Sequence, residues 1–382
     1  MATRSPGIRP FNIFSLSIII LIILSGCNPS NGTQETNTPG VEIEFQATLP
    51  GSSCQIKTVA VAIIDDLQGS QSPVQILPMS ILESGKYDLK IEVPQGSNIH
   101  YRYVINTGFA EWDAHRESIL FRNFTAMDHS IVQDTIAGWS ECQPEAETGN
   151  LTGIIQSMGV PVYGAWVQVA GIWEVTHSDG SFAISDIPVG IQTLSVSYPT
   201  GKYRSTSHLV DIQSGSTTPT TFNLDPAKEV EITWVVSLPD EIPSNSAIKF
   251  VPNHPLYGGM HLSDDWLGWT DAIELPQLEK YDAETEYFSG RFYEGMDLRY
   301  TYSLGDGITG RELSSQNKFV TRQVIVPGKD TVLHDTVETF TTNNYSPVSF
   351  TVQVPETTPA TDFISIQFFQ GGWYQPIPPA IA

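Results

Sequence analysis

A chain that repeats itself at domain length must be an array of similar units, and this one does so. Gly96-Ser-Asn-Ile-His-Tyr-Arg-Tyr103 returns about two hundred residues later as Gly295-Met-Asp-Leu-Arg-Tyr-Thr-Tyr302. Flanking segments return in the same order. Val41-Glu-Ile-Glu-Phe-Gln-Ala-Thr-Leu-Pro50 recurs as Val230-Glu-Ile-Thr-Trp-Val-Val-Ser-Leu-Pro239, and in shortened form as Val348-Ser-Phe-Thr-Val-Gln-Val-Pro355. Ile131-Val-Gln-Asp-Thr-Ile-Ala-Gly-Trp139 recurs as Val332-Leu-His-Asp-Thr-Val-Glu-Thr-Phe340. The pattern gives two full copies of one unit and the opening of a third.

Apolar residues inside the repeats alternate, as at Val41, Ile43, Phe45 and Ala47 and again at Tyr87, Leu89, Ile91 and Val93. Short alternating runs divided by turn signals such as Pro94-Gln-Gly and Asn106-Thr-Gly, with no long helical period, predict an all-β chain. The expected architecture is a tandem of antiparallel, immunoglobulin-like β-sandwiches. With 382 residues and 40% hydrophobic content there is enough apolar material for several packed cores. The net charge of −23 argues against a nucleic-acid partner, because phosphate binding needs clustered Lys and Arg.

The N-terminus reads as targeting signal. Arg4 and Arg9 precede an apolar run over residues 13–24 that is too short to span a bilayer. Leu24-Ser-Gly-Cys27 resembles the bacterial lipoprotein lipobox. The resemblance implies a signal peptide over residues 1–26, lipidation of Cys27, and a membrane partner reached through that lipid on the outer side of a bacterial membrane. Residues 27–40, rich in Asn, Thr, Pro and Gly, form a flexible tether. The remaining cysteines, Cys54 and Cys142, would lie in a disulfide-permissive compartment. A bridge between them would add about 4 kcal/mol by constraining the unfolded chain.

Residues 149–226 differ in character. Pro161-Val-Tyr-Gly-Ala165, Asp179-Gly-Ser-Phe182 and Ile187-Pro-Val-Gly-Ile191 closely resemble the carboxypeptidase regulatory-like domain, a transthyretin-like β-sandwich. That implies a structural module without catalytic residues. Ser178-Asp-Gly180 reads as a hairpin turn and Gly190 as a second turn position.

The units at 41–142 and 229–340, and the shortened one at 347–382, are similar to starch-binding modules of carbohydrate-binding family 20. The features that carry this are Gly96, Tyr101-Arg-Tyr103, Trp112-Asp113 with Arg116, and Asp134-Thr135 with Trp139. The resemblance implies that Trp112 is a platform of a glucan site, with Asp113 and Arg116 as its polar neighbours. The second platform of that family falls on Trp266 and Trp269 in the second copy and on Trp373 and Tyr374 in the third, whereas Asp65-Asp-Leu-Gln-Gly-Ser70 occupies that loop in the first. An indole suits the task because sugar rings present apolar C–H faces to it while polar neighbours bind the hydroxyls. Trp139, Trp234, Trp166 and Trp173 lie on strand alternation and are expected in the core.

Enzyme signatures are not compelling. Gly305-Asp-Gly-Ile-Thr-Gly310 has dinucleotide-type glycine spacing but no helix to follow it. The pairs Asp65-Asp66 and Asp264-Asp265 would point apart in extended chain, and the eight histidines are scattered without metal-ligand spacing. The expectation is a non-catalytic protein without cofactor or metal that binds polysaccharide, an α-glucan, at the cell surface. Two alternatives stand beside it: a structural or adhesive spacer array with no sugar ligand, and the accessory N-terminal part of a larger hydrolase.

Overall fold

The computed structural model describes residues 38–341 apart from 50–55, 65–74, 84, 107–108, 140–145, 241, 243–245, 253–276, 283–284 and 305–309. Among the described residues all regular structure is β. The sequence-predicted signal peptide, Cys27, Cys54, Cys142, Asp65-Asp66, Asp264-Asp265, Trp266, Trp269, Trp373, Tyr374 and the shortened unit at 347–382 lie outside them.

The first unit contains β1 (Gly40–Thr48), β2 (Val59–Ile64), β3 (Gln75–Pro78), β4 (Ser80–Glu83), β5 (Lys86–Pro94), β6 (Asn98–Ile105), β7 (Phe109–Trp112), β8 (Arg122–Thr125), β9 (Ile131–Thr135) and β10 (Gly138–Trp139). One sheet runs β4-β5-β1-β9, and the facing one runs β10-β7-β6-β2-β3 with β8 beside β6. Alternation places Val41, Ile43, Phe45 and Ala47 inward on β1 and Ile99, Tyr101 and Tyr103 inward on β6, so their side chains meet between the sheets.

The middle unit contains β11 (Thr148–Ser157), β12 (Val160–Pro161), β13 (Trp166–Val169), β14 (Ile172–Val175), β15 (Ser181–Pro188), β16 (Gly190–Ser197), β17 (Thr206–Ile212) and β18 (Thr217–Asn223). Its sheets are β12-β11-β15, with β18 on β11, and β14-β13-β16-β17. The expected hairpin turn is present: Gly180 has φ +75° and the His177 N–H donates to Ser181 O.

The last described unit contains β19 (Glu229–Ser237), β20 (Ile248–Pro252), β21 (Glu279–Lys280), β22 (Thr285–Tyr293), β23 (Asp297–Leu304), β24 (Gly310–Leu313), β25 (Arg322–Ile325), β26 (Thr331–Thr336) and β27 (Thr339–Phe340). Its sheets, β21-β22-β19-β26 and β20-β23-β24-β27, reproduce the first unit's pairing. The repeat in sequence is therefore a repeat in topology. Each unit departs from a purely antiparallel arrangement in the same way, by pairing its first long strand in parallel with a strand near its end: β1 with β9, β11 with β18, β19 with β26. Nearly the whole unit lies between those strands, which gives the chain the long crossover that parallel pairing requires.

Trp139 and Trp234 are fully buried, as alternation predicts. Trp166 and Trp173 are not core residues. On β13 the inward positions are Val167 and Val169, so Trp166 faces out; Trp173 lies across from Gln168 on that same outer face, 41% exposed and 6.2 Å from the Trp166 ring. Alternation identifies two faces, and only pairing decides which one is buried.

The units also touch through buried polar surface. β16 of the middle unit lies against β8 and β9 of the first. Gln192 is completely buried there, its Nε2 donating to Thr135 O at 2.9 Å and to Pro188 O at 3.0 Å. Thr193 Oγ1 accepts the Gln133 N–H at 2.9 Å and donates to Gln133 O at 3.1 Å. The first and last units meet through corresponding turns, where Asp297 Oδ2 accepts the Asn98 N–H at 2.8 Å and Arg299 donates to Asn98 O at 3.1 Å.

Candidate functional site

Two sets of residues could carry a function: the Trp112 loop suggested by sequence, and a buried charged cluster that the repeats share. Trp112 ends β7, where it pairs with Gly138 and bridges Ser118. Its indole is half-buried, so it is neither a core residue nor a fully presented platform. The next five residues form a tight loop. Asp113 Oδ1 accepts the N–H groups of His115 at 2.9 Å and Glu117 at 2.8 Å, and Arg116 has φ +68°. Asp113 thus holds the loop's shape, a role that the glucan-site expectation did not assign to it.

The second copy supports that reading. Ser314 occupies the place of Asp113, its Oγ accepts the Gln316 and Lys318 N–H groups at 3.3 and 3.4 Å, and Asn317 takes φ +57° in the place of Arg116. The loop survives while Leu313 stands where Trp112 does, so its geometry is independent of the indole. Arg116 and His115 are exposed, and His115 Nε2 lies 3.1 Å from Asp186 of the middle unit.

The second set is far more enclosed. Asp134 Oδ2 accepts the hydroxyls of Tyr101 at 2.7 Å and Tyr103 at 3.0 Å. Arg122 grips Glu111 through Nε and Nη2, the latter at 2.8 Å, and places Nη1 3.2 Å from Asp134 Oδ1. Its guanidinium carbon also lies 5.6 Å from the centre of the Tyr103 ring. In the second copy Asp335 Oδ2 accepts the hydroxyls of Tyr300 at 2.9 Å and Tyr302 at 2.7 Å, and Arg322 pairs with Glu312. The Asp-Thr step that contributed to the starch-module resemblance is thus the anchor of a core hydrogen-bond network.

Burial, then the nearby aspartate charge, pushes the hydroxyls of Tyr101, Tyr103, Tyr300 and Tyr302 well above the ordinary tyrosine range. Burial works against the charge on Arg122, but Glu111 and Asp134 outweigh it and raise its pKa. An arginine locked between two carboxylates and out of contact with water has no free proton to trade, so the cluster is built for position and not for acid–base chemistry.

Glu111, Arg122, Glu312 and Arg322 were not singled out from sequence. A signal existed: each Glu–Arg pair recurs at matching positions in the two copies. Among the described residues no group of acidic, His or Cys side chains could hold a metal ion. A cleft of about 580 Å³ opens beside β20 and β21, lined by residues that include Ser246, Gln277, Glu279, Lys280 and Glu286, and none of the described residues lining it is aromatic.

No family model matches the chain, and no curated protein matches it either. The solved structures similar to it are of low identity. The Bacillus anthracis TIE protein is 10% identical, with 78% of this chain covering 50% of that one at a TM-score of 0.20. A minor pilin of Streptococcus agalactiae is 13% identical over 53% of this chain and 99% of its own, at a TM-score of 0.21. A streptococcal ancillary pilin is 10% identical over 77% and 98%, at 0.24. The chain thus spans about half the length of the first of these and nearly all of the other two. The tandem β-sandwich class itself is visible in the chain's own paired sheets.

Proposed function

We propose that this chain is a non-catalytic structural scaffold of an exported bacterial protein, anchored to its membrane by lipid on Cys27. The observation that carries the reading is the buried polar seam between units. Flexible spacers meet through little surface, whereas here Gln192, Thr193 and Ser195 are withdrawn from water against β8 and β9. Such a seam holds neighbouring sandwiches at a fixed angle, which suits a protein that must present a shape at a distance from the membrane. Of the described residues expected to act on a sugar, Asp113 closes its own loop.

The test is passage over insoluble starch. The full chain is expected to elute unretarded, and Trp112→Ala to behave identically. Retention that Trp112→Ala abolishes would replace this reading with α-glucan binding, the second reading, which the half-exposed indole beside an exposed Arg116 favours. The anchor is tested separately, by incorporation of a labelled fatty acid that Cys27→Ala removes.

A further inference from the structure

The two copies differ at the second oxygen of the core aspartate and in how the neighbouring arginine is turned: Arg122 Nη1 lies 3.2 Å from Asp134 Oδ1, whereas Arg322 approaches Asp335 Oδ2 through Nε at 3.4 Å. In the first, Asp134 Oδ1 accepts an N–H from outside its own unit, that of Thr193 at 3.2 Å. Thr193 can serve because it lies one residue ahead of Leu194, where pairing between β16 and β13 starts. In the second copy the equivalent atom, Asp335 Oδ1, is buried and accepts no hydrogen bond among the described residues, although Asp335 is only 1% exposed. A carboxylate oxygen cut off from water and left without a donor is costly, so its partner should be sought.

The neighbourhood indicates which side is incomplete. Gln133 and Thr135 are half-buried beneath the middle unit, whereas their counterparts His334 and Thr336 are exposed along β26, the outer strand of its sheet. Arg322 has turned to fill one of the vacated roles. Its Nη2 donates to Thr336 O at 2.8 Å, the place taken in the first copy by Gln192 on Thr135 O. No corresponding substitute reaches Asp335 Oδ1.

We infer that the outer face of β26 in the second copy is a docking surface for the chain's own continuation, residues 347–382, which supplies a backbone N–H to Asp335 Oδ1 as Thr193 does to Asp134; β25 is already covered by the first unit, where Gln323 Nε2 donates to Ser97 Oγ at 3.0 Å. Continuity selects this occupant. In the first copy the unit that docks is the one that follows in sequence, after the eight residues 140–147 between β10 and β11. After β27 ends at Phe340, the alternation Val348, Phe350, Val352, Val354 begins following the seven residues 341–347. The middle unit cannot serve, because its β16 already lies on the first copy.

Hydrogen exchange on the full chain, read by mass spectrometry, decides the matter. Amides of residues 332–336 and 348–354 are both expected to be protected, and Thr336→Arg is expected to speed exchange in both windows by about tenfold or more. The strand over residues 230–236 should stay protected, marking an intact second copy. If that strand also loses protection, His334→Glu replaces the variant. Exchange of 348–354 at the free-chain rate in the unsubstituted protein overturns the proposal. So does unchanged exchange there in a folded variant. Protection of 332–336 that rises with protein concentration, together with a dimer in sedimentation, overturns it in favour of a second copy of the chain.

Discussion

At the scale of single residues the repeats preserve charge where it is most expensive. Asp134 and Asp335 sit within apolar cores, each accepting two tyrosine hydroxyls and facing an arginine that is itself paired with a glutamate. Breaking one member of such a set strands the others without water, and a buried ion lacking its partner costs about 3–5 kcal/mol. The tyrosines offer a direct readout. Their hydroxyls are held above the normal range by burial and by the aspartates, so the folded protein keeps those protons at a pH where the unfolded chain has released them. Their contribution to stability is therefore complete below the ordinary tyrosine pKa and is lost as pH rises through the folded value. Ultraviolet titration should find that, of the 14 tyrosines, Tyr101, Tyr103, Tyr300 and Tyr302 ionise only when the protein unfolds. Tyr103→Phe should reduce that hidden group by one. Free titration of all four in the folded protein would contradict the network.

At the scale of elements, Gly190 shows how a strand end can be shaped by a neighbouring unit. It opens β16 with φ +118°, and a Cβ there would lie 2.6 Å from Thr135 Oγ1 of the first unit. Gly190→Val therefore meets two obstacles, a backbone angle that favours glycine and a collision across the seam. A cost of about 1–3 kcal/mol is expected, with the first two units melting in separate calorimetric transitions where the parent melts in one. A single transition in the variant at the parent's temperature would contradict the close approach. From sequence Gly190 was legible as a turn position but not as a contact, because nothing local announces which surface will arrive opposite it. The same limit explains Trp166 and Trp173. Their alternation was readable, yet the choice of inner face belongs to Val167 and Val169 and is fixed by pairing with Val196 and Leu194. What repeats in sequence (strand order, the Tyr-x-Tyr pair, the Asp-Thr step) was recoverable, since each copy corroborates the other. The Trp112 site is complete in no copy, since the first lacks the second platform and the second has Leu313 in place of Trp112, and the structure assigns its aspartate to the loop.

At the scale of the whole molecule, the question is what keeps acidic sandwiches together. With a net charge of −23 the chain repels itself, and that repulsion reaches about 30 Å at 0.01 M salt but only about 10 Å at 0.1 M. The junction between the first and last units opposes it locally. Asp297, 8% exposed, accepts hydrogen bonds from the Asn98 N–H, from Gln323 Nε2 at 2.8 Å and from Arg299 at 3.3 Å, while Arg299 also donates to Asn98 O. Arg299 is the cation in this set, so its removal both breaks the bridge to Asn98 and leaves a withdrawn carboxylate facing an acidic neighbour. In Arg299→Ala the two units should part, and they should part further as salt is lowered. Small-angle scattering of the full chain should then show a radius of gyration that is nearly constant with salt in the parent and grows at low salt in the variant. Equal, salt-independent radii in both proteins would mean that Arg299 does not hold the junction. Expansion of the parent itself at low salt would mean that the junction is too weak to set the protein's shape, and the scaffold would then be a chain of loosely linked sandwiches.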